Sequence, residues 1–281
     1  PLKVYAGIWD GALGTSRRTW VTLREAAILL CVALAVLPAF RMRFWNIGAE
    51  GQVLMGALGT AAVMIYGKSL PAWLLYTLMA IAGIGLGMLW GVIPSLFKAK
   101  WGTNETLFTL MMNYVATQAV TFGVIFWENP KGSSKVGSLD KAVWLPNLFG
   151  NKYLLTIVVV LAIAVAMYFY MRYTKQGYEI AVVGESENTA RYSGINVSRV
   201  IIRTMALSGA IAGVAGFLLA GDMGHTISTG LAGGRGFTAI TVAWLGKLNP
   251  FTMILVAFFL VFMERGSKQI ATDFNLSESA S

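Results

Sequence analysis

One stretch combines a carboxylate, two amides and two glycines where the surroundings are apolar: Arg41-Met42-Arg43-Phe44-Trp45-Asn46-Ile47-Gly48-Ala49-Glu50-Gly51-Gln52. It separates the apolar runs Ala26–Phe40 and Val53–Tyr66. Asn46, Glu50 and Gln52 can recognise or relay, and none of them is a nucleophile–base pair. Polar groups at membrane depth are costly, so such a break marks by default a place where something binds or passes. A second group follows at Thr103-Asn104-Glu105, with Asn113 and Gln118 further along the same apolar run. Amides also glue helices together, and a glutamate such as Glu105 also caps a helix start. We assign Glu50 and Glu105 to the translocation route or to holding its broken helices. Phe44, Trp45, Phe108 and Tyr114 could stack on a flat ring, although such aromatics more often serve packing or an interfacial belt.

Other chemistries fare worse. A Ser-His-Asp set would need His225, the single histidine, with Asp222 and Ser228, and a loop histidine is the simpler reading. Gly230-Leu231-Ala232-Gly233-Gly234-Arg235-Gly236 lacks the Lys-Ser/Thr of a phosphate-binding loop, and Gly83-Ile84-Gly85-Leu86-Gly87 lies inside an apolar run, so neither holds a nucleotide. No cofactor is expected, and any use of ATP must come from a partner. One cysteine, Cys31, excludes a disulfide framework, and one histidine excludes a His-rich metal centre.

The elements that must carry these residues are membrane helices. Apolar residues make up 56% of the chain and charged ones 12%, where a soluble domain has about 25%. Mean hydropathy is +0.65, and the apolar residues come in long blocks rather than stripes. Hydropathy predicts about eight spans: Val21–Phe40, Gly48–Tyr66, Leu70–Phe97, Thr103–Trp127, Tyr153–Met171, Val200–Ala220, Gly236–Leu245 and Phe251–Met263. The seventh is too short to cross alone and predicts a broken or re-entrant piece. Gly83, Gly87 and Gly91 repeat every fourth residue, as do Ala212, Gly216 and Ala220 beside Gly209 and Gly213. That spacing predicts close helix packing within the chain. The abrupt ends, at Pro1 and at Leu276–Ser281, suggest a span missing on each side.

The net charge of +9 is spent on pairs at span ends (Arg41/Arg43, Lys98/Lys100, Arg172/Lys175), facing lipid headgroups rather than nucleic acid. With Arg172–Arg199 inside, alternation puts Arg41, Arg43, Lys98, Lys100 and Lys247 inside. Lys68, Lys131, Lys135, Lys141, Lys152, Arg235, Arg265, Lys268, Arg17, Arg18 and Arg24 then fall outside, and charge alone barely favours this over the reverse. The segment Gly177–Asn196 reads as a charged connection with one short helix over Asn188–Tyr192, stopped by Gly194, suited to docking a soluble motor.

Four blocks resemble bacterial ABC importer permeases for nucleosides, a branch related to ribose-type sugar and branched-chain amino-acid permeases. Phe44-Trp45-Asn46-Ile47-Gly48-Ala49-Glu50-Gly51-Gln52 resembles that family's Phe-Asn-Ile-Gly-x-Glu-Gly-Gln signature, and Asn104–Leu107 with Leu110–Tyr114 is similar to a second block. Gly184–Ile195 looks like the loop with the family's coupling helix, and Ala239–Pro250 like a late block. Trp45, Ser186, Thr189 and Ser193 depart from the usual residues. The resemblance implies an all-α polytopic bundle of two inverted five-span halves, with first half 1–130, outer loop 128–152 and second half 153–281. Its coupling loop would span 172–199, with Gly184, Glu185, Asn188, Ala190, Arg191, Tyr192, Gly194 and Ile195 meeting a cytoplasmic ABC ATPase. It further implies a second permease subunit, an outer substrate-binding lipoprotein, and an early break toward the cytoplasm with its counterpart, Asp222–Gly236, toward the outside. Two alternatives stay open: a permease for simple sugars such as ribose, and a stand-alone proton-coupled transporter using Glu50 and Glu105.

Overall fold

The computed structural model describes residues 2–133, 136–137 and 139–273, the side chains of 2–4 and 273 excepted. Ser134, Lys135 and the polar edge Leu276–Ser281 lie outside the described residues. Among those described the structure is helical: α1 (Leu2–Leu13), α2 (Ser16–Arg41), α3 (Ala49–Tyr66), α4 (Ala72–Trp101), α5 (Glu105–Trp127), α6 (Leu154–Tyr173), α7 (Lys175–Glu185), α8 (Glu187–Tyr192), α9 (Val197–Leu218), α10 (Arg235–Leu245) and α11 (Pro250–Asp273). Side-chain caps start many of them: Thr15 for α2, Asn104 for α5, Thr174 for α7, Ser186 for α8 and Asn196 for α9 each accept a backbone N–H of the first turn.

Among the described residues six helices, not eight, are long and apolar enough to cross a membrane: α2, α4, α5, α6, α11, and α9 with its π-helical extension to Gly224. The two remaining predicted spans are different objects. α3 opens on Ala49-Glu50-Gly51-Gln52, which dilutes its apolar character, and α10 has 11 residues. At 1.5 Å per residue α10 is about 16 Å long, roughly half a bilayer core of about 30 Å.

α2 is the axis. It is apolar all round, and every residue from Ala26 to Phe40 is buried. α6, α9, α10 and α11 surround it. The most extensive helix pair is α4 with α9, and it is built on glycine as the spacing predicts. A Cβ at Gly87 would lie 2.6 Å from the Cα of Gly213, and one at Gly213 would fall on the carbonyl oxygen of Gly83. Backbones this close gain packing that larger side chains forbid. Gly213→Val is therefore expected to destabilise the protein by about 3 kcal/mol or more, the upper range for over-packing. Gly85→Val, on the same helix as Gly87 but with nothing within 4 Å, should stay within about 0.5 kcal/mol. Thermal unfolding in detergent of both variants reads the difference, and equal midpoints would refute it.

The connection 172–199 corrects the expectation of one short helix. α7 precedes α8, because Gly177, Ile180, Val183 and Gly184 line one helical face and bury it. Two of these four residues are glycines, which add little apolar signal to the pattern. The opposite end of the bundle is also better ordered than its composition suggests. The segment after α5 contains a 3-10 turn, Lys141–Val143, and is tied to the end of α9: Leu139 N–H donates to His225 O at 2.9 Å and Leu145 N–H to Gly221 O at 3.1 Å. α1 packs on α11 there, and Arg265 grips Glu25 through two hydrogen bonds of 2.8 and 2.9 Å.

Candidate functional site

α2 ends in a 6→1 closure, Phe44 N–H to Ala39 O at 2.9 Å, with Arg43 in the left-handed region at φ 59. Residues 44–48 then run without helix back into the bundle. A non-helical chain at membrane depth must find a partner for each N–H and C=O. The predicted polar residues supply them. Asn46, wholly buried, accepts from Gly48 N–H at 3.0 Å and donates to Ser208 Oγ of α9 at 3.1 Å. Its amide and that of Gln52 face each other at 3.4 Å in both directions. Asn113 of α5 accepts from Gly51 N–H at 2.8 Å and donates to Ile47 O at 2.9 Å. Thr109 Oγ1 accepts from Ile47 N–H at 3.2 Å.

Ser208 lies about three turns into α9, so the break sits about 16 Å from the end of the bundle that carries α7 and α8. α3 is thus a shortened helix, and the unwound strand makes up its missing length.

Glu50 turns the other way. Its two carboxylate oxygens accept the backbone N–H groups of Gly234 and Gly236, at 2.8 and 2.6 Å. It stands in the first turn of α3 and caps the first turn of α10, so two helix N-termini share one negative group. A Cβ at Gly236 would collide with the backbone of Glu50, so glycine is required for this approach. The other end of α10 is held by aromatic rings: Trp244 stacks on Trp45 at 5.7 Å and on Phe40 at 5.9 Å.

This arrangement corrects the expectation that Asp222–Gly236 lies toward the outside. Asp222 does sit with the 136–145 segment, but the chain descends from there to Glu50. Arg235, counted with the outer cations, stands between the two glycines that hold Glu50, its guanidinium donating to Ala232 O at 3.2 Å. Alternation assumes that each segment crosses, and α10 does not.

Asn104 and Glu105 stand apart from this cluster. Asn104 accepts from Leu107 N–H at 3.1 Å as the α5 cap, and Glu105 pairs with Lys98 at 2.8 Å. Of the four aromatics, Phe44 is buried and Phe108 packs on Phe97 at 4.8 Å, whereas Trp45 and Tyr114 are exposed. The hydrolytic trio is not assembled. Asp222 accepts from Thr156 at 2.5 Å, His225 lies flat on Trp144 at 3.7 Å, and Ser228 is exposed. Burial holds the His225 imidazole below its usual range.

The predicted docking residues divide into a buried footing and an exposed face. Gly184 is pressed against the carbonyl of Arg41 at the end of α2, and Ala190 is fully buried. Ile195 N–H closes α8 on Ala190 O at 2.9 Å, and Gly194 adopts φ 77. Glu185, Asn188 and Arg191 are exposed, and Tyr192 is 93% exposed. Sequence reasoning missed Ser208, Thr109, Gly234 and Gly236 as partners of the break. Ser208, a hydroxyl beside the small-residue stripe of α9, was the one local signal.

Six long apolar helices, one unwound at membrane depth and one half-length helix capped inside the bundle define a multi-pass membrane protein with interrupted spans. Residues 20–278 match the family described as branched-chain amino acid transport system / permease component, and the chain belongs to it. It is 32% identical over 272 residues to the guanosine ABC transporter permease protein NupP of Bacillus subtilis, covering 94% of this chain and 77% of that one. It is 27% identical over 285 residues to the nucleoside ABC transporter permease protein NupB of Lactococcus lactis, 97% and 78% of the two chains. It is also 30% identical over 291 residues to the glucose ABC transporter permease protein TsgB13 of Haloferax volcanii, 98% and 76%. No solved structure gives a significant match. The resemblance carried by the four sequence blocks is borne out at the level of the family.

Proposed function

We propose that this chain is the permease subunit of an ATP-driven importer for nucleosides in the cell membrane. The observation that carries the reading is 32% identity to a guanosine permease along 94% of the chain. The chain would do no bond chemistry and hold no cofactor. ATP would be bound by a cytoplasmic ATPase seated on α7 and α8, where Tyr178 and Tyr192 are 66% and 93% exposed. Large exposed aromatics of this kind are the residues that anchor interfaces. A lipoprotein would deliver cargo at the opposite end.

A second permease subunit would complete the pathway. The Bacillus subtilis guanosine system supports a paralogue in that role, since its NupQ permease is also 26% identical to this chain over 256 residues. Asn46, Glu50, Gln52 and Asn113 would hold the interrupted helices that border the route, and Asn104 and Glu105 the start of α5. The similarity to a glucose permease supports sugars as the second reading. Against proton coupling, Glu50 is engaged by two backbone N–H groups and Glu105 by Lys98.

Uptake of labelled guanosine by cells with and without this chain, its ATPase and its lipoprotein tests the reading, and equal uptake would overturn it. The docking face makes its own prediction. Losing an anchoring tyrosine costs about 2 kcal/mol, so Tyr192→Ala should weaken ATPase binding roughly 30-fold. Co-purification and stimulated ATP hydrolysis report this, and wild-type levels of both would remove α8 from the interface.

A further inference from the structure

A recess of about 430 Å³ opens on the side of the bundle between the far half of α5 and the chain that follows His225. Thr121, Val124 and Ile125 form one wall, and Ile227, Ser228 and Thr229 the other. Thr226 Oγ1 donates to Val136 O at 2.6 Å, so the segment after α5 closes a third side of the recess. The volume falls in the range of sites for small organic ligands. None of the lining residues carries a charge.

We propose that this recess is a substrate station, and that it takes an uncharged ring compound bearing several hydroxyl groups. The inference rests on the permease reading and deepens it. Ser228 and Thr229 present exposed hydroxyls that donate and accept, as sugar hydroxyls do. Ile125, exposed and backed by the buried Val124 and Ile227, offers an apolar surface for the face of a ring. An ion entering here would shed water without meeting a counter-charge among the lining residues, which is costly.

A second observation agrees. The chain leading from the recess ends at the N–H groups of Gly234 and Gly236, an anion-attracting helix start. That start is already filled by the carboxylate of Glu50, and the Arg235 guanidinium beside it is turned onto the carbonyls of Leu231 and Ala232. Neither place invites a phosphate or the carboxylate of a free amino acid. Below the recess the exposed polar residues are again uncharged: Gln118 on α5, Thr238 and Thr241 on α10. Specificity would thus be set by polar pairing without charge, which penalises a ligand that leaves a buried polar group unmatched.

Thiol labelling in the assembled transporter tests the station. Cys31, the single native cysteine, is fully buried, so introduced thiols report alone. Ser228→Cys and Thr121→Cys probe the recess, and Ser69→Cys, exposed in the α3–α4 turn, serves as control. The rate of modification by a water-soluble maleimide is read with guanosine, ribose, leucine or guanosine monophosphate, each with lipoprotein and ATPase present. A ligand seated in a pocket loses most of its exposed surface, so guanosine should slow labelling at both recess thiols roughly five-fold or more. Leucine and the monophosphate should change the rates little, and Ser69→Cys should not respond. Guanosine uptake is measured on the same preparations. Uptake without protection overturns the station alone, as does a recess thiol that labels in no state. Protection by ribose or another neutral sugar, with no guanosine uptake, overturns the nucleoside reading and keeps the station. Protection by leucine or the monophosphate overturns the uncharged-ligand claim.

Discussion

Glu50→Ala is expected to abolish transport and to destabilise the protein by about 3 kcal/mol or more. Each charge-assisted hydrogen bond is worth about 1.5–3 kcal/mol, and at membrane depth no water replaces a lost acceptor. The alanine strands two N–H groups, those of Gly234 and Gly236. The start of α10 would then lose its polar anchor, leaving the apolar face of Ala239, Val242 and Ala243 and the Trp244 stack on Trp45 and Phe40 to hold the helix. Glu50→Gln keeps the shape but presents one acceptor oxygen, so its loss should be roughly half as large. Glu50→Asp is shorter and cannot serve both N–H groups without moving α3. The graded order Glu, Gln, Ala in unfolding temperature and in uptake is the signature of a capping role. Unchanged stability in the alanine variant would refute it.

Gly184→Ala should be nearly as damaging, by a different route. A methyl group at Gly184 overlaps the carbonyl oxygen of Arg41, so α7 must lift from the end of α2. The contact joins the exposed docking face to the central helix. Its displacement should cut ATP-driven uptake by about ten-fold or more, equivalent to about 1.4 kcal/mol in coupling, while the subunit still folds. Gly194→Ala provides the contrast. That residue sits at φ 77 with nothing within 4 Å, so alanine there meets only backbone strain of about 1–2 kcal/mol in a terminal turn. Uptake and ATP hydrolysis measured together distinguish the two. Equal uptake by both glycine variants would mean that α7 and α2 do not move as one.

Much of the bundle was legible because six apolar runs are long enough to be membrane helices whatever their neighbours. The glycine stripes of α4 and α9 likewise announced their packing. The polar break was visible as a break, but its wiring was not. Asn46 reaches Ser208 across 162 positions, and Glu50 reaches Gly234 and Gly236 across 184 and 186. No local pattern encodes pairs so far apart. α7 was hidden for a different reason: its buried face is made of Gly177, Ile180, Val183 and Gly184, two of which are glycines that add little apolar signal. Arg235 was put on the wrong level because counting loops treats a half-helix as a crossing.

The burial of α2 has a consequence for biogenesis. Its closest neighbours, α6, α9, α10 and α11, all follow it in the chain, so they do not yet exist when α2 leaves the ribosome. With a mean hydropathy of 2.0 across its apolar window, it is at ease in lipid by itself. The helix that ends at the centre can therefore wait in the bilayer as a lone span, and later segments exchange its lipid coat for protein. Until they arrive, Arg24 and Glu25 at one end and Arg41 and Arg43 at the other act as moorings that keep it upright.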